Sequence, residues 1–158
     1  MWPFKTNWKP VASPLLSKHA AACAAIHSKC FAHSWPASEL ETMIASVNYL
    51  ADGVFHEPDG QVLGFSITRL VADEAEILTI AIDPRARQQG MGRQLLETQI
   101  GGLVRKGIRR IMLEVEDSNE AALKLYRSFN FHRDGVRKGY YAQGRIAPAD
   151  AILLSCQL

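Results

Sequence analysis

The chain has 158 residues, a formal net charge of +2, and 47% hydrophobic against 22% charged residues. That suits one domain with a single continuous core, and the small charge surplus, with no Lys/Arg run, argues against a nucleic-acid-binding arm. Apolar stretches are far shorter than a bilayer span, Met1-Trp2-Pro3-Phe4 is no basic-then-apolar leader, and Cys23, Cys30 and Cys156 form no CxxC pair, so a cytoplasmic, membrane-free protein is expected.

Residues 1–9 read as an N-terminal extension to a domain that takes in the whole of 1–158. Val11 to Leu15 predicts a short strand, and Leu16 to Lys29 an Ala-rich helix with Ile26 inward. Cys23, His27 and Cys30 share one face of that helix without a fourth ligand, which reads as packing and not as a metal site. A second helix is capped by Ser34 or Ser38, with Glu41 completing a capping box on Ser38. Tyr49 to Phe55 and Val62 to Val71 are strands joined by the turn signal Glu57-Pro58-Asp59-Gly60, and Glu76 to Ile82 is a third. After a glycine-containing loop, Leu95, Leu96, Ile100, Leu103 and Val104 fall at helical spacing. Arg110 to Val115 is a strand, Asn119 to Ser128 a helix, and Phe131 to Arg137 and Asp150 to Cys156 are the last strands. Hairpins first and strand-helix-strand later predict an α/β (α+β) domain, a mixed sheet with helices on both faces.

The loop carries the chemistry. Asp83-Pro84-Arg85-Ala86-Arg87-Gln88-Gln89-Gly90-Met91-Gly92-Arg93 empties directly into a helix. Helix N-termini offer unpaired N–H groups and partial positive charge, and glycines let a ligand approach the backbone, so a pyrophosphate-like anion is expected here. Arg85, Arg87 and Arg93 add charge on this side, whereas Glu76, Glu114, Glu116 and other carboxylates gather at neighbouring strand ends. An NTPase P-loop is excluded, because no Lys-Ser or Lys-Thr follows Gly90 or Gly92. A dinucleotide fingerprint fits poorly: its third glycine position is Leu95, and the loop is too long.

Arg87-x-x-Gly90-x-Gly92 resembles the pyrophosphate-binding signature of the GCN5-related N-acetyltransferases (GNAT superfamily). A second block, Leu113-Glu114-Val115 through Asn119, Ala122, Leu125-Tyr126 and Phe131, is similar to that superfamily's next motif, in the right order. Asp73-Glu74-Ala75, Ile80-Ala81-Ile82-Asp83-Pro84, Tyr140-Tyr141 and Asp150-Ala151-Ile152 resemble its RimI branch, the ribosomal-protein-alanine N-acetyltransferases. The likeness runs from about Leu15 to Gln157 and departs at Asn130, where the family has glycine.

The resemblance implies a central sheet of about seven strands with a splayed central pair, acetyl-CoA as co-substrate, no metal, and a monomer acting on a protein N-terminus. The backbone of Gln88, Gln89, Gly90, Met91, Gly92 and Arg93 would hold the pyrophosphate, with Arg87 and Asn119 beside it, and Ile80, Ala81 and Ile82 the pantetheine arm. Glu114 would be the base and Tyr126 the acid for the departing thiolate; Glu76 is the rival base. Trp35, Glu76, Tyr140 and Tyr141 would meet the acceptor, the two tyrosines from a loop between the last strands. From the residues alone, Glu114 is an unusual carboxylate in an apolar strand that could be a strand-end ion pair, Tyr126 could be core, and Asn119 could simply cap its helix. A terminal amine, with a pKa of about 7.7–8.0 against about 10.4 for lysine, asks less of a single carboxylate. A small-molecule amine and a non-catalytic acetyl-CoA sensor are the other readings.

Overall fold

The computed structural model describes residues 10–57, 59–141 and 149–158, with Tyr140 and Tyr141 by backbone alone; the extension carrying Trp2, Phe4 and Trp8 lies outside these. The elements run β1 (Val11–Pro14), α1 (Ala20–Cys30), α2 (Ala37–Ala45), β2 (Tyr49–His56), β3 (Gln61–Val71), β4 (Glu74–Ile82), α3 (Met91–Arg105), β5 (Arg110–Glu116), α4 (Glu120–Ser128), β6 (His132–Tyr141) and β7 (Ala149–Gln157). Seven strands form one sheet in the order β1-β2-β3-β4-β5-β7-β6. Neighbours are antiparallel except β4 and β5, whose parallel pairing requires a crossover, supplied by α3. Among the described residues no helix is long and apolar enough to cross a membrane.

Two departures from regular pairing place the site. The β4–β5 ladder runs from Glu74 opposite Arg110 to Ile77 opposite Leu113 and stops, so the two strands part company in mid-sheet. At the same level β4 bulges against β3: Thr68 faces Ile77 and Ile67 faces Thr79, which leaves Leu78 as the extra residue. The expected splayed pair is present, and the bulge that accompanies it turns β4 away from β5.

Helices cover both faces. Phe65, Ile67 and Ala81 pack with Cys23 and Ile26 of α1 and Leu40 and Met43 of α2. On the other face Ile111, Leu113 and Val115 pack with Leu96 and Leu103 of α3 and Tyr126 of α4. Strand alternation therefore turns Met112, Glu114 and Glu116 towards the α1–α2 face.

Several expectations are corrected. The predicted first helix begins as a separate 3-10 turn at Ser17–His19, because the His19 ring accepts the Leu16 N–H and holds the chain in a turn. No capping box forms in α2: its N-cap is Pro36, and Ser38 lies inside the helix, where its carbonyl accepts the Thr42 hydroxyl. Val104 is 54% exposed, on the rim of the α3 stripe and not within it. Tyr140 and Tyr141 end strand β6 itself, an edge strand, instead of occupying a loop. The helix stop at Asn130 does survive without glycine. Asn130 takes φ 63°, and the N–H groups of Phe131 and Asn130 donate to the carbonyls of Tyr126 and Arg127, closing a Schellman motif that also fixes Tyr126.

Candidate active site

The gap between β4 and β5 opens a cavity of about 840 Å³. Glu76 to Ile80 of β4 and Leu113 to Glu116 of β5 form two walls; Asn119, Ala122 and Tyr126 close it on the α4 side, and His27, Cys30, Phe31 and Trp35 on the α1 side. Glu114 of β5 and Tyr126 of α4, on consecutive elements, thus meet one space from opposite faces of the sheet. Glu76 and Trp35 also line it, while Ala81, Ile82 and the glycine loop lie beyond it. Cys30 is the link, since it lines the cavity and its sulfur stands 3.3 Å from the Arg87 guanidinium. The side chains of Tyr140 and Tyr141 lie outside the described residues, so their expected part in acceptor binding falls there too.

Glu114 keeps a partly open carboxylate, 23% exposed, and Arg137 of β6 donates to its Oε1 at 2.8 Å. The rival, Glu76, is paired across the β3–β4 ladder with Arg69. Both the expected base and the bland ion-pair account of Glu114 are thus compatible with its position. Tyr126 is 7% exposed, its ring tilted against Phe131 at 5.4 Å between centroids. Burial pushes the phenol above its ordinary value, so it carries its proton throughout the physiological range.

The glycine loop is shaped for an anion. Gln88 and Gly90 take left-handed conformations, φ 61° and 78°, and Gly90 is the N-cap of α3 with no side-chain cap on the first turn. The first N–H groups of α3 are therefore left for a ligand, which fits a pyrophosphate. Each of the three arginines also has a partner within the protein. Arg85 clamps Asp83, with its Nη2 3.0 Å from Oδ2, and that hydrogen bond, opposed by partial burial, brings the Asp83 carboxyl down to about 2. Arg93 donates to the Ser128 hydroxyl at 2.8 Å and covers the Phe129 ring at 4.9 Å, binding α3 to α4. Arg87 reaches back to the Ile82 carbonyl and the Cys30 sulfur. Asn119 caps α4, its Oδ1 accepting the Ala122 N–H at 3.2 Å, and still lines the cavity.

Three contributors escaped the sequence reading. His27 is not merely a packed face: its Nδ1 accepts the Trp35 N–H at 3.2 Å, and its ring stacks on Trp35 with centroids 4.7 Å apart. Burial lowers its pKa, which keeps the ring neutral and fastens the 31–35 segment over the cavity. Arg137 meets Glu114 only through the β6–β7–β5 register, which no local pattern reveals. Thr79 lines the cavity as a β-branched residue in an apolar strand, where threonine is ordinary. Cys23 is unsuited to a covalent acetyl-cysteine route, since it is fully buried and its thiol is pushed up to about 12.

Comparison with known proteins agrees with this geometry. The chain is 37% identical over 134 residues to the [ribosomal protein bS18]-alanine N-acetyltransferase of Escherichia coli, covering 84% of this chain and 88% of that one. The crystal structure of an Escherichia coli ribosomal-protein-alanine N-acetyltransferase superposes with a TM-score of 0.85, at 32% identity over 94% of both chains. Arabidopsis thaliana NAA60, solved with acetyl-CoA, shares the fold at a TM-score of 0.84 and 16% identity, over 95% of this chain and 99% of that one. The profile of the acetyltransferase (GNAT) family matches residues 20–131, from α1 through the anion loop to the end of α4, and the chain belongs to that family.

Proposed function

We infer that the protein transfers the acetyl group of acetyl-CoA directly to the N-terminal alanine of ribosomal protein bS18. The observation that carries this reading is the cleft at the β4–β5 splay, which receives a carboxylate from one face and a protonated phenol from the other. Identity of 37% over most of the chain to an enzyme of that name supports the choice of acceptor.

Each residue then has work of its own. The amides at the start of α3 and the Gly90 turn hold the diphosphate, and the open edge of β4 past Ile77 receives the pantetheine chain. Glu114, with Arg137 on Oε1, takes the proton of the attacking amine through a water molecule. The amine nitrogen bonds to the thioester carbon, the tetrahedral adduct collapses with cleavage of the C–S bond, and Tyr126 gives its proton to the departing sulfur. A terminal amine with a pKa of about 7.7–8.0 is already partly neutral near pH 7, so one water-relayed carboxylate is sufficient help.

The test offers acetyl-CoA with a bS18 N-terminal peptide, the same peptide N-blocked with an internal lysine, and a polyamine, and measures coenzyme A release. Turnover with the free N-terminal alanine alone is expected. Preference for the polyamine would overturn the acceptor, and the lysine peptide as best substrate would overturn the α-amine reading.

A further inference from the structure

Thr79 brings to the cleft a polar atom for which the protein itself has no use. The residue is 5% exposed, and its hydroxyl finds no hydrogen-bond partner among the described residues. Ser66 and Ser155 share that lack but do not line the cavity; Thr79 does. Leaving a buried hydroxyl unmatched is costly, so its retention on a cavity wall points to a ligand that matches it.

Its place on β4 says which ligand. Thr79 follows the bulged Leu78 and stands opposite Ile67, whose side chain packs with the α1–α2 core. It therefore faces the same side of the sheet as Glu114, the side from which the amine approaches, while Tyr126 and the helix that holds it are on the other. It also lies just past Ile77, the last residue of β4 paired with β5.

We propose that Thr79 Oγ1 grips the first residue of the acceptor, accepting a hydrogen bond from its α-amine and donating one to the carbonyl of the same residue. In an N-terminal residue the amine and carbonyl are separated by one carbon, so one hydroxyl reaches both. A lysine ε-amine has no carbonyl within reach and satisfies only half of it. The amine lone pair must stay free to attack the thioester carbon. The hydroxyl takes one N–H, and the other remains for proton removal towards Glu114. Thr79 is thus a substrate-binding residue that selects α-amines, an inference that rests on the acetyl-transfer reading above.

Thr79→Val keeps the shape and removes the hydroxyl; Thr79→Ser keeps the hydroxyl. With the alanine peptide, Thr79→Val is expected to lower kcat/KM about tenfold, the worth of a net hydrogen bond or so, while Thr79→Ser stays within about threefold. Acetyl-CoA affinity by titration should stay unchanged, and the Thr79→Val melting temperature should hold or rise. Equal kcat/KM for Thr79→Val and the parent would overturn the proposal. So would lost acetyl-CoA affinity, which would assign the hydroxyl to the donor, or a lowered melting temperature with both variants equally impaired, which would make it structural. A parent enzyme inert towards every free N-terminal peptide would instead overturn the acetyl-transfer reading itself, and this inference with it.

Discussion

In the proposed reading the donor is held by backbone from one short stretch beyond the cavity, Ile82 to Arg93, whereas the acceptor meets side chains drawn from α1, β4 and β5, with Arg137 of β6 behind Glu114. On the first side, the proposed binding rests on conformation: a left-handed glycine and an uncapped helix start. On the second, chemistry resides in single groups held by partners far away in sequence. Substitutions should therefore act differently on the two sides, through affinity for the donor on one and through turnover on the other.

The largest effect is expected from Glu114→Gln, a loss of about 10²–10⁴-fold in kcat with the alanine peptide. Arg137 can still donate to the amide oxygen, so the melting temperature should barely move. The deficit should shrink as pH rises past the amine pKa of about 7.7–8.0, where free amine becomes plentiful. A flat loss below twofold would move the base to Glu76 and break the acceptor-wall picture. Next comes Tyr126→Phe, about 10²-fold in kcat with acetyl-CoA affinity nearly unchanged. Because burial raises the phenol, the group is protonated below its ordinary pKa and stays so above it. The deficit measured by coenzyme A release should then be constant from pH 6 to pH 9.

On the donor side, Gly90→Val meets no neighbouring atom but must hold φ 78°, a strain of about 1–3 kcal/mol that the loop will relieve by moving. Acetyl-CoA binding by calorimetry should weaken about tenfold or more, with kcat at saturation much less affected. Lost turnover with intact affinity would erase the contrast between the two sides. The smallest effect is expected from Arg87→Ala, a solvated group worth about 1 kcal/mol or less, which should change the acetyl-CoA Kd by no more than about fivefold.

The same contrast explains what could be read from the amino-acid order. The Arg87-to-Gly92 pattern and the helix behind it are local, so the loop was legible, as were β2 to β5 from their β-rich apolar runs and the turn signal between β2 and β3. Glu114 stood out because a carboxylate sits in an otherwise apolar strand. Its partner Arg137 did not, since their meeting depends on β7 lying between β5 and β6. Thr79 and His27 were hidden for a different reason: each is an unremarkable residue in its own element, and only burial with a vacant or distant partner gives it meaning. The misplaced cap of α2 followed from reading Ser34 or Ser38 as the cap; the cap is Pro36, whose preset φ suits the approach to a helix.

One buried cluster bears on how freely the anion loop could be moved. Gln99 of α3, fully buried, accepts the Thr68 hydroxyl and donates to Asp52 at 2.6 Å, while burial raises the Asp52 carboxyl against the pull of that same bond. Sliding α3 by one turn, about 5.4 Å, would strand all three groups without water, at a cost of about 1–3 kcal/mol each. The helix is thereby indexed to β2 and β3 like a key in a slot. The height of its first turn above the cleft is set nine residues downstream of Gly90, so transplanting the loop without Gln99 and its two partners should carry the motif but lose its aim.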